Sequence, residues 1–491
     1  MSSPVIVIGG GIGGLSSAVR LAQRGEKVYL FEKEPRVGGY AISFRRKATA
    51  FDLALHVVPC GGAGQQFAAM VEDLGLDGVE FIRLAQGFEA RFGDFSFTMA
   101  NDYDALFASL ESRFPQEVAG LRSFRKDLES HAPVYEALFD HTVSRWRAVP
   151  PFLPKIPSFL KRSSLSSRDY LQRYFDDERL IAVLFQPALF MGIPMDEFPT
   201  VNFLMMFYLL VKKGMYTIRG GGQALTDRLT SRFIELGGSL QTRQLVTRIL
   251  VKDGRAEGVM TEDGKRWSAK GVLSAINLPD TVHRLVGRAN FPKSYLENLD
   301  GLQPSISVIA LNVGLATNPK ELGIKNHIAI HFPDADIDSW IKKQRSSSRM
   351  DGFSVTAHTN SDPEFSEGGL YPVSIVGGTD PSAWMGMAED EYRLAKSDLC
   401  ESLISRLDGL YPGFRDSVAV TDLATPRSMH RYTANPMGAI MGLNCSCGLH
   451  RQILKACDLP IRDLAMAGAW TGRLGGFMQS MKSGILAAEA I

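Results

Sequence analysis

Three glycines near the start of the chain have the spacing that brings a polypeptide backbone close to a phosphate. Gly9, Gly11 and Gly14 follow the apolar run at residues 5–8 and precede apolar residues at helical spacing. In such a turn the first glycine permits a tight bend, the second lets a pyrophosphate approach, and the third lets helix and strand pack closely. The start of the helix offers unpaired N–H groups and the positive end of its dipole. The pattern predicts a dinucleotide site.

An acidic residue follows at the position where a ribose would lie. Glu32 ends a second apolar run and stands 21 residues after Gly11. A carboxylate there binds two ribose hydroxyls and repels a 2′-phosphate, which argues against NADP. The motif alone does not choose between FAD and NAD.

The elements that must position these residues read as strand, helix and strand. The first stretch of apolar residues at helical spacing ends at Gly25, and residues 28–31 form the second strand-like run. The last part, residues 464–491, again reads as strand, glycine-rich loop and helix. A βαβ start of this kind predicts a parallel sheet in a Rossmann-like α/β domain.

The residues after Glu32 favour FAD. Lys33 and Arg36 precede the pair Gly38-Gly39 in the stretch EKEPRVGGYA. Here the chain resembles the two-dinucleotide-binding-domain flavoproteins, the class of the amine oxidases and phytoene desaturases. The resemblance implies that this arginine and the two glycines lie along the FAD diphosphate.

The resemblance extends over most of the chain and narrows to the phytoene desaturase, carotenoid isomerase and retinol saturase family. It rests on the motifs Phe51-Asp52-x-x-x-His56, Gln186-Pro187-x-x-x-x-Gly192, Tyr216-x-x-x-Gly220-Gly221, Thr425-Pro426, Asn435-Pro436-x-Gly438 and Ala467-Gly468-Ala469-Trp470-Thr471. It implies FAD as the cofactor, held by Gly9, Gly11, Gly13, Gly14, Glu32, Lys33, Arg36, Gly38, Gly39, Val246, Gly468, Ala469, Gly475, Gly476 and Phe477. Val246 would present its backbone to the adenine, and the loop 468–477 would close over the flavin.

Two positions depart from the pattern of that family. Ala469 stands where many relatives carry an acidic residue, so that contact is expected to be missing or supplied by backbone. Tyr40-Ala41 replaces the arginine that commonly follows the glycine pair in the desaturase branch. The segment 51–56 is nearer the isomerase and saturase branch.

His56 is the candidate catalytic residue. A histidine near a flavin can steer a proton or orient the substrate. The alternative is a hydrogen-bonded packing residue below the flavin loop. His430 and Arg431 are weaker candidates of the same kind.

Two apolar segments in the middle of the chain suggest the type of substrate. Residues 184–191 and 203–211 are rich in Phe, Met and Leu, which suit a long, adaptable apolar tunnel. The alternative for each segment is ordinary core. The proline-broken stretch 149–162 mixes apolar and basic residues, and it is either a peripheral membrane contact or a solvated linker.

The composition excludes several other classes. The 54 Lys and Arg residues nearly balance the 53 Asp and Glu residues, so no nucleic-acid partner is expected. The 5 cysteines do not form a disulfide framework, and the pair Cys445-x-Cys447 has no second ligand pair, so no metal site is expected. No run reaches the ~20 apolar residues that a spanning helix needs, and no secretory signal is visible. A cytoplasmic protein, with membrane contact at most peripheral, is the expectation.

These observations predict an FAD-dependent oxidoreductase that acts on carbon–carbon bonds of a long apolar polyene or isoprenoid. Desaturation, isomerisation and saturation remain open, as do the electron acceptor and the oligomeric state. The alternatives are a tailoring enzyme for another natural product, such as a polyene polyketide, an amine oxidase-like flavoenzyme, and a non-catalytic flavin-binding or lipid-binding protein. We predict an FAD domain from residues 1–95, 215–290 and 425–491, with an inserted mixed α+β substrate domain from residues 96–214 and 291–424.

Overall fold

The computed structural model describes residues 3–47, 49–139, 165–366, 368–472 and 474–491. The stretch 149–162, for which a membrane contact was one interpretation, lies outside the described residues. In the described part, no helix is both long enough and apolar enough to cross a membrane.

The strands are β1 Val5–Ile8, β2 Val28–Phe31, β3 Ser43–Arg46, β4 Thr49–Asp52, β5 Val58–Pro59, β6 Phe81–Arg83, β7 Gln86–Phe92, β8 Phe95–Ala100, β9 Met215–Ile218, β10 Ser239–Gln241, β11 Val246–Lys252, β12 Arg255–Thr261, β13 Arg266–Ser268, β14 Gly271–Ser274, β15 Ser307–Leu315, β16 Ile328–Phe332, β17 Phe353–Ala357, β18 Tyr371–Thr379, β19 Val418–Ala424 and β20 Leu464–Met466.

The α-helices are α1 Ile12–Gln23, α2 Gln66–Asp73, α3 Tyr103–Arg113, α4 Val118–Phe139, α5 Ser167–Leu171, α6 Glu178–Phe185, α7 Thr200–Phe207, α8 Gly221–Glu235, α9 Leu278–Asp280, α10 Lys293–Asp300, α11 Ile337–Gln344, α12 Ser382–Met385, α13 Glu389–Leu410, α14 Phe414–Ser417, α15 Pro426–Thr433, α16 His450–Cys457 and α17 Phe477–Glu489. Wider π-turns follow at Tyr208–Lys212 and Thr281–Gly287, and a 3-10 helix at Gln186–Met191.

A five-stranded parallel sheet contains the two ends of the chain. Its order is β10-β2-β1-β14-β20, and the pairing of β1 with both β2 and β14 is parallel. All four residues of β1 and β14 are buried, as expected for strands covered on both faces. The predicted Rossmann-like sheet is confirmed. Helices α1 and α17 pack against each other, and the Ser17 hydroxyl of α1 donates to the Gly484 carbonyl at 3.1 Å.

A seven-stranded mixed sheet forms the second large unit, in the order β19-β15-β18-β17-β16-β7-β8. Most of its pairs are antiparallel, whereas β7 pairs with β16 in parallel. The division of the chain into two domains stays a prediction. The hairpin β7–β8 pairs with this sheet, although the first predicted segment of the FAD domain runs to residue 95.

Candidate functional site

The site begins where the chain leaves β1. The neighbours β2 and β14 lie on opposite sides of β1, so their connections diverge and leave a crevice at the carboxyl end of the sheet. Gly9 turns the chain there with a φ of +96°, and its N–H donates to the Phe31 carbonyl at 2.8 Å. Helix α1 then begins with neither a side-chain cap nor an acidic residue in its first turn. Its first N–H groups can therefore bind an anion.

The glycines of this turn have different surroundings. A methyl group on Gly14 would lie 1.9 Å from the Gly9 carbonyl oxygen, and one on Gly13 would lie 2.5 Å from the Gly468 Cα. A methyl group on Gly11 would meet no protein atom within 4 Å. Gly13 and Gly14 thus allow close packing within the protein, whereas Gly11 borders open space.

Glu32 lies beside this open space. Its Oε2 accepts from the Gly10 N–H at 2.7 Å and its Oε1 from the Glu34 N–H at 2.9 Å. Burial raises the pKa of this carboxyl above its ordinary value, and the two backbone donors act in the opposite direction. Each carboxylate oxygen has more than one acceptor site, so both can still accept from hydroxyls of a ligand.

The second glycine pair lies directly opposite the first turn. The Gly38 N–H donates to the Gly10 carbonyl at 2.7 Å, and a methyl group on Gly39 would lie 3.3 Å from the Gly11 Cα. Arg36 is exposed, with its guanidinium donating to the Ser43 carbonyl at 3.4 Å. The Lys33 ammonium forms an ion pair with Glu34. The backbone of the glycine pair, more than either cation, shapes this side of the crevice.

The C-terminal loop closes the crevice from the other side. The Gly468 N–H donates to the Ser483 hydroxyl at 3.0 Å, which ties β20 to α17. Gly475 and Gly476 adopt φ values of +46° and +83° immediately before α17 begins at Phe477. Three separate parts of the chain therefore meet at one place.

These parts line one continuous cavity of about 1170 Å³. Among the residues predicted to hold the cofactor, Gly14 alone lies behind the cavity wall. The cavity is lined by the others: Gly9, Gly11, Gly13, Glu32, Lys33, Arg36, Gly38, Gly39, Val246, Gly468, Ala469, Gly475, Gly476 and Phe477.

The two apolar segments supply part of the wall of the same cavity. The side chains that line it are Leu189, Phe190, Met205, Met206, Leu209 and Leu210. Phe203, Leu204 and Phe207 of the same helical region are fully buried. Leu184 and Phe185 of the first segment are also fully buried, so each segment contains both core residues and residues of the cavity wall.

His56 also lines the cavity, and it belongs to a cluster of three histidines. Its Nδ1 lies 3.0 Å from the Thr356 hydroxyl oxygen, and its carbonyl accepts from His327 Nε2 at 2.8 Å. The His358 ring is stacked on it with centroids 6.3 Å apart. Burial, with a smaller contribution from the neighbouring His327, lowers the pKa of His56 to about 4. Burial also lowers the pKa of His327 to about 4 and that of His358 well below its ordinary value. The imidazoles are therefore neutral near pH 7.

The partners of His56 could not be predicted from the sequence. Thr356 and His327 lie about 300 residues away, on or beside strands of the seven-stranded sheet, and no motif marks them. The weaker candidates His430 and Arg431 also line the cavity. His430 Nδ1 bonds to the Asn435 carbonyl at 2.8 Å, which orders its own loop.

The fold and the cavity together define a class, the FAD-dependent oxidoreductases. An uncapped helix start, an open position over Gly11 and a half-buried carboxylate beside it fit the phosphates and ribose of this cofactor. The chain belongs to the family of flavin containing amine oxidoreductases, whose family model matches residues 12–491. Its cofactor is FAD.

Curated proteins and a solved structure resemble this chain over most of its length. It is 24% identical over 463 residues to prolycopene isomerase 1, chloroplastic, of an Oncidium hybrid cultivar, covering 88% of this chain and 74% of that protein. It is 23% identical over 510 residues to all-trans-retinol 13,14-reductase of Danio rerio, covering 94% of this chain and 82% of that protein. A crystal structure of an oxidoreductase from Methanosarcina mazei superposes with a TM-score of 0.65 at 18% identity, covering 99% of each chain. That structural likeness confirms the fold.

Proposed function

We propose that this chain acts on carbon–carbon bonds of a long apolar polyene or isoprenoid. The observation that carries the proposal is the continuity of the cavity, which runs from the glycine loops to a wall of Leu, Phe and Met side chains. An apolar, adaptable wall suits a chain-like hydrophobic substrate. The curated relatives support it, because their names refer to a carotenoid and to a retinoid.

Within this proposal, the residues that line the crevice hold the cofactor. The N–H groups at the start of α1 and the backbone at Gly11, Gly38 and Gly39 would bind its phosphates, and Glu32 would bind ribose hydroxyls. Val246 would present its backbone to the adenine, and the loop 468–477 would cover the flavin. Bound FAD supplies the acceptance and donation of hydride.

The protein's own contribution to the reaction is orientation and exclusion of water. The Met205, Met206, Leu209 and Leu210 side chains hold the substrate along the cavity. His56 lies at the cavity wall as a neutral imidazole, and its second ring nitrogen would contact the ligand. A neutral group can bond to an uncharged substrate or to the flavin without placing a charge in an apolar site.

The test is to purify the protein, record its flavin spectrum, and add candidate polyenes with the flavin first oxidised and then pre-reduced. Product masses separate the reactions: a loss of two hydrogens indicates desaturation, a gain indicates saturation, and an unchanged mass with a new retention time indicates isomerisation. Release of hydrogen peroxide from a soluble amine, with no polyene product, would contradict the proposal and favour amine oxidation. A flavin that is neither reduced nor reoxidised with any substrate would favour a binding protein.

A substrate of this kind dissolves in membranes, which supports a peripheral contact of the protein with a membrane surface. Flotation with phospholipid vesicles tests this contact directly. The cytoplasmic location stays a prediction.

A further inference from the structure

The hydroxyl of Thr356 occupies an unusual position beside the cavity. Thr356 is fully buried in β17, and its Oγ1 lies 3.0 Å from His56 Nδ1. Among the described residues, this is the one hydrogen bond that the hydroxyl makes. The bond joins the turn after β4 to the seven-stranded sheet.

The position of the hydrogen atoms follows from what each group can donate. A neutral imidazole carries one N–H and one lone pair, and a threonine hydroxyl carries one hydrogen. If Nδ1 carried the proton and donated to Thr356, the hydroxyl hydrogen would be buried with no acceptor, which is unfavourable. If the hydroxyl donates to Nδ1, both groups are satisfied, and the imidazole proton lies on Nε2.

Nε2 of His56 is available to a ligand. It makes no hydrogen bond to any described residue, and it is absent from the buried side-chain atoms that lack a partner. Since His56 lines the cavity, its Nε2 is accessible from that side. His327, by contrast, uses its Nε2 for the His56 carbonyl.

We infer that Thr356 is a positioning residue that fixes His56 as the Nε2–H tautomer, so that His56 offers a hydrogen-bond donor to the cavity. This inference rests on the proposed function for its catalytic consequence. The matching ligand group is an uncharged acceptor, either a carbonyl oxygen or ring nitrogen of the flavin or an oxygen atom of an oxygenated polyene. His56 is then not a general base, because its accessible nitrogen already carries a proton.

Nitrogen-15 NMR of histidine-labelled holoenzyme tests the tautomer without any substrate. His56→Gln assigns the His56 signals. We expect a protonated Nε2 and an unprotonated Nδ1 in the native protein, and partial exchange to the other tautomer in Thr356→Val. A native His56 protonated on Nδ1 would overturn the inference. Because no polyene is present, this result stands even if the proposed function fails.

Turnover of all-trans-retinol, which carries an oxygen acceptor, tests the consequence. Thr356→Val keeps the shape of the side chain and is expected to lower kcat at least tenfold with unchanged flavin content, and Thr356→Ser is expected to restore kcat to within threefold. Thr359→Val is the matched control, since the Thr359 hydroxyl is buried and has no partner among the described residues. Native kcat in Thr356→Val would overturn the positioning role. If Thr356→Val does not fold, the tautomer of the native protein decides.

Nitrogen-15 spectra of the apoprotein, of the holoenzyme and of the holoenzyme with all-trans-retinol show which molecule supplies the acceptor. A shift of the Nε2 signal when FAD is added to the apoprotein identifies the flavin, and a shift only after all-trans-retinol is added identifies the substrate. Either result supports the inference, and the absence of both shifts overturns it.

Discussion

Gly11 and Gly14 are three residues apart, yet a side chain at the two positions is expected to have different effects. Gly11→Val adds its side chain to open space, because no protein atom lies within 4 Å of the added Cβ. The apoprotein should fold with nearly unchanged thermal stability, but the side chain should block the diphosphate, so that the purified protein is colourless. Flavin absorbance per protein and the Tm of the apoprotein measure the two effects.

The matched control is Gly14→Ala, whose methyl group would lie 1.9 Å from the Gly9 carbonyl oxygen. This variant should lose stability even as apoprotein, because strand and helix must move apart. Full flavin occupancy in Gly11→Val would show that the phosphates bind elsewhere.

His56→Phe tests the candidate catalytic residue. The side chain stays aromatic, with a slightly larger ring, but loses both nitrogens, so the hydrogen bond to Thr356 and the donor to the cavity are lost together. We expect the flavin content to stay the same and kcat with a polyene to fall at least tenfold, which is about 1.4 kcal/mol in the activation free energy. Native kinetics would return His56 to a packing role.

At the scale of elements, the sequence predicts structure that depends on neighbouring residues, but it does not predict structure that depends on contacts between distant residues. The spacing of Gly9, Gly11 and Gly14 predicts their turn because the strand, the glycines and the helix are contiguous in the sequence. The structure has β1 and α1 where that pattern predicts them. For the segment 203–211 the sequence leaves core and tunnel open, because the same residue types serve both. The structure resolves it by face: Phe203 and Phe207 pack inward and Met206 borders the cavity.

Asp52 joins three elements, and its ionisation should be visible in the stability of the protein. One carboxylate oxygen accepts from the Gly222 N–H at 2.5 Å, at the start of α8, and the other accepts from Leu55 at 2.8 Å, in the turn that carries His56. Burial raises the pKa of Asp52 to about 6 from 3.8, against the opposing effect of these backbone donors. As the pH rises, the unfolded chain therefore releases this proton first, and the contribution of Asp52 to stability falls between pH 4 and 7 by about 2 kcal/mol.

Asp52→Asn removes that titration and places an NH₂ group against a backbone donor. The variant should be less stable than the native protein by about 1–3 kcal/mol at pH 4, and between pH 4 and pH 7 the difference should change by about 2 kcal/mol in favour of the variant. Urea unfolding followed by circular dichroism at several pH values measures it. A difference that is constant with pH would contradict the raised pKa.

At the scale of the whole molecule, the histidine cluster lies where distant parts of the chain meet. His56 comes from the turn after β4, His327 from the residue before β16, and His358 from the residue after β17. Nothing in the sequence links these positions, because their proximity depends on the register of the seven-stranded sheet and on how the 52–56 turn packs against it. The resemblance to a family pointed to His56, but the residues around His56 could be identified only from the folded structure.

The same cluster should make the native state sensitive to acid. The unfolded His327 binds a proton near pH 6.5, whereas the folded one does so only near pH 4 because burial lowers its pKa. Between those values the unfolded state takes up the proton first, so the stability due to His327 is present above pH 6.5 and is lost as the pH falls. At pH 5 the loss is about 2 kcal/mol.

His327→Gln can keep the hydrogen bond to the His56 carbonyl through its amide NH₂ and cannot titrate. We expect similar unfolding free energies for variant and native protein at pH 8, and an advantage of about 2 kcal/mol for the variant at pH 5, measured by urea unfolding of the apoproteins. An equal difference in unfolding free energy between variant and native protein at the two pH values would mean that His327 is solvated in the folded protein. The neutral environment inferred for His56 would then be wrong.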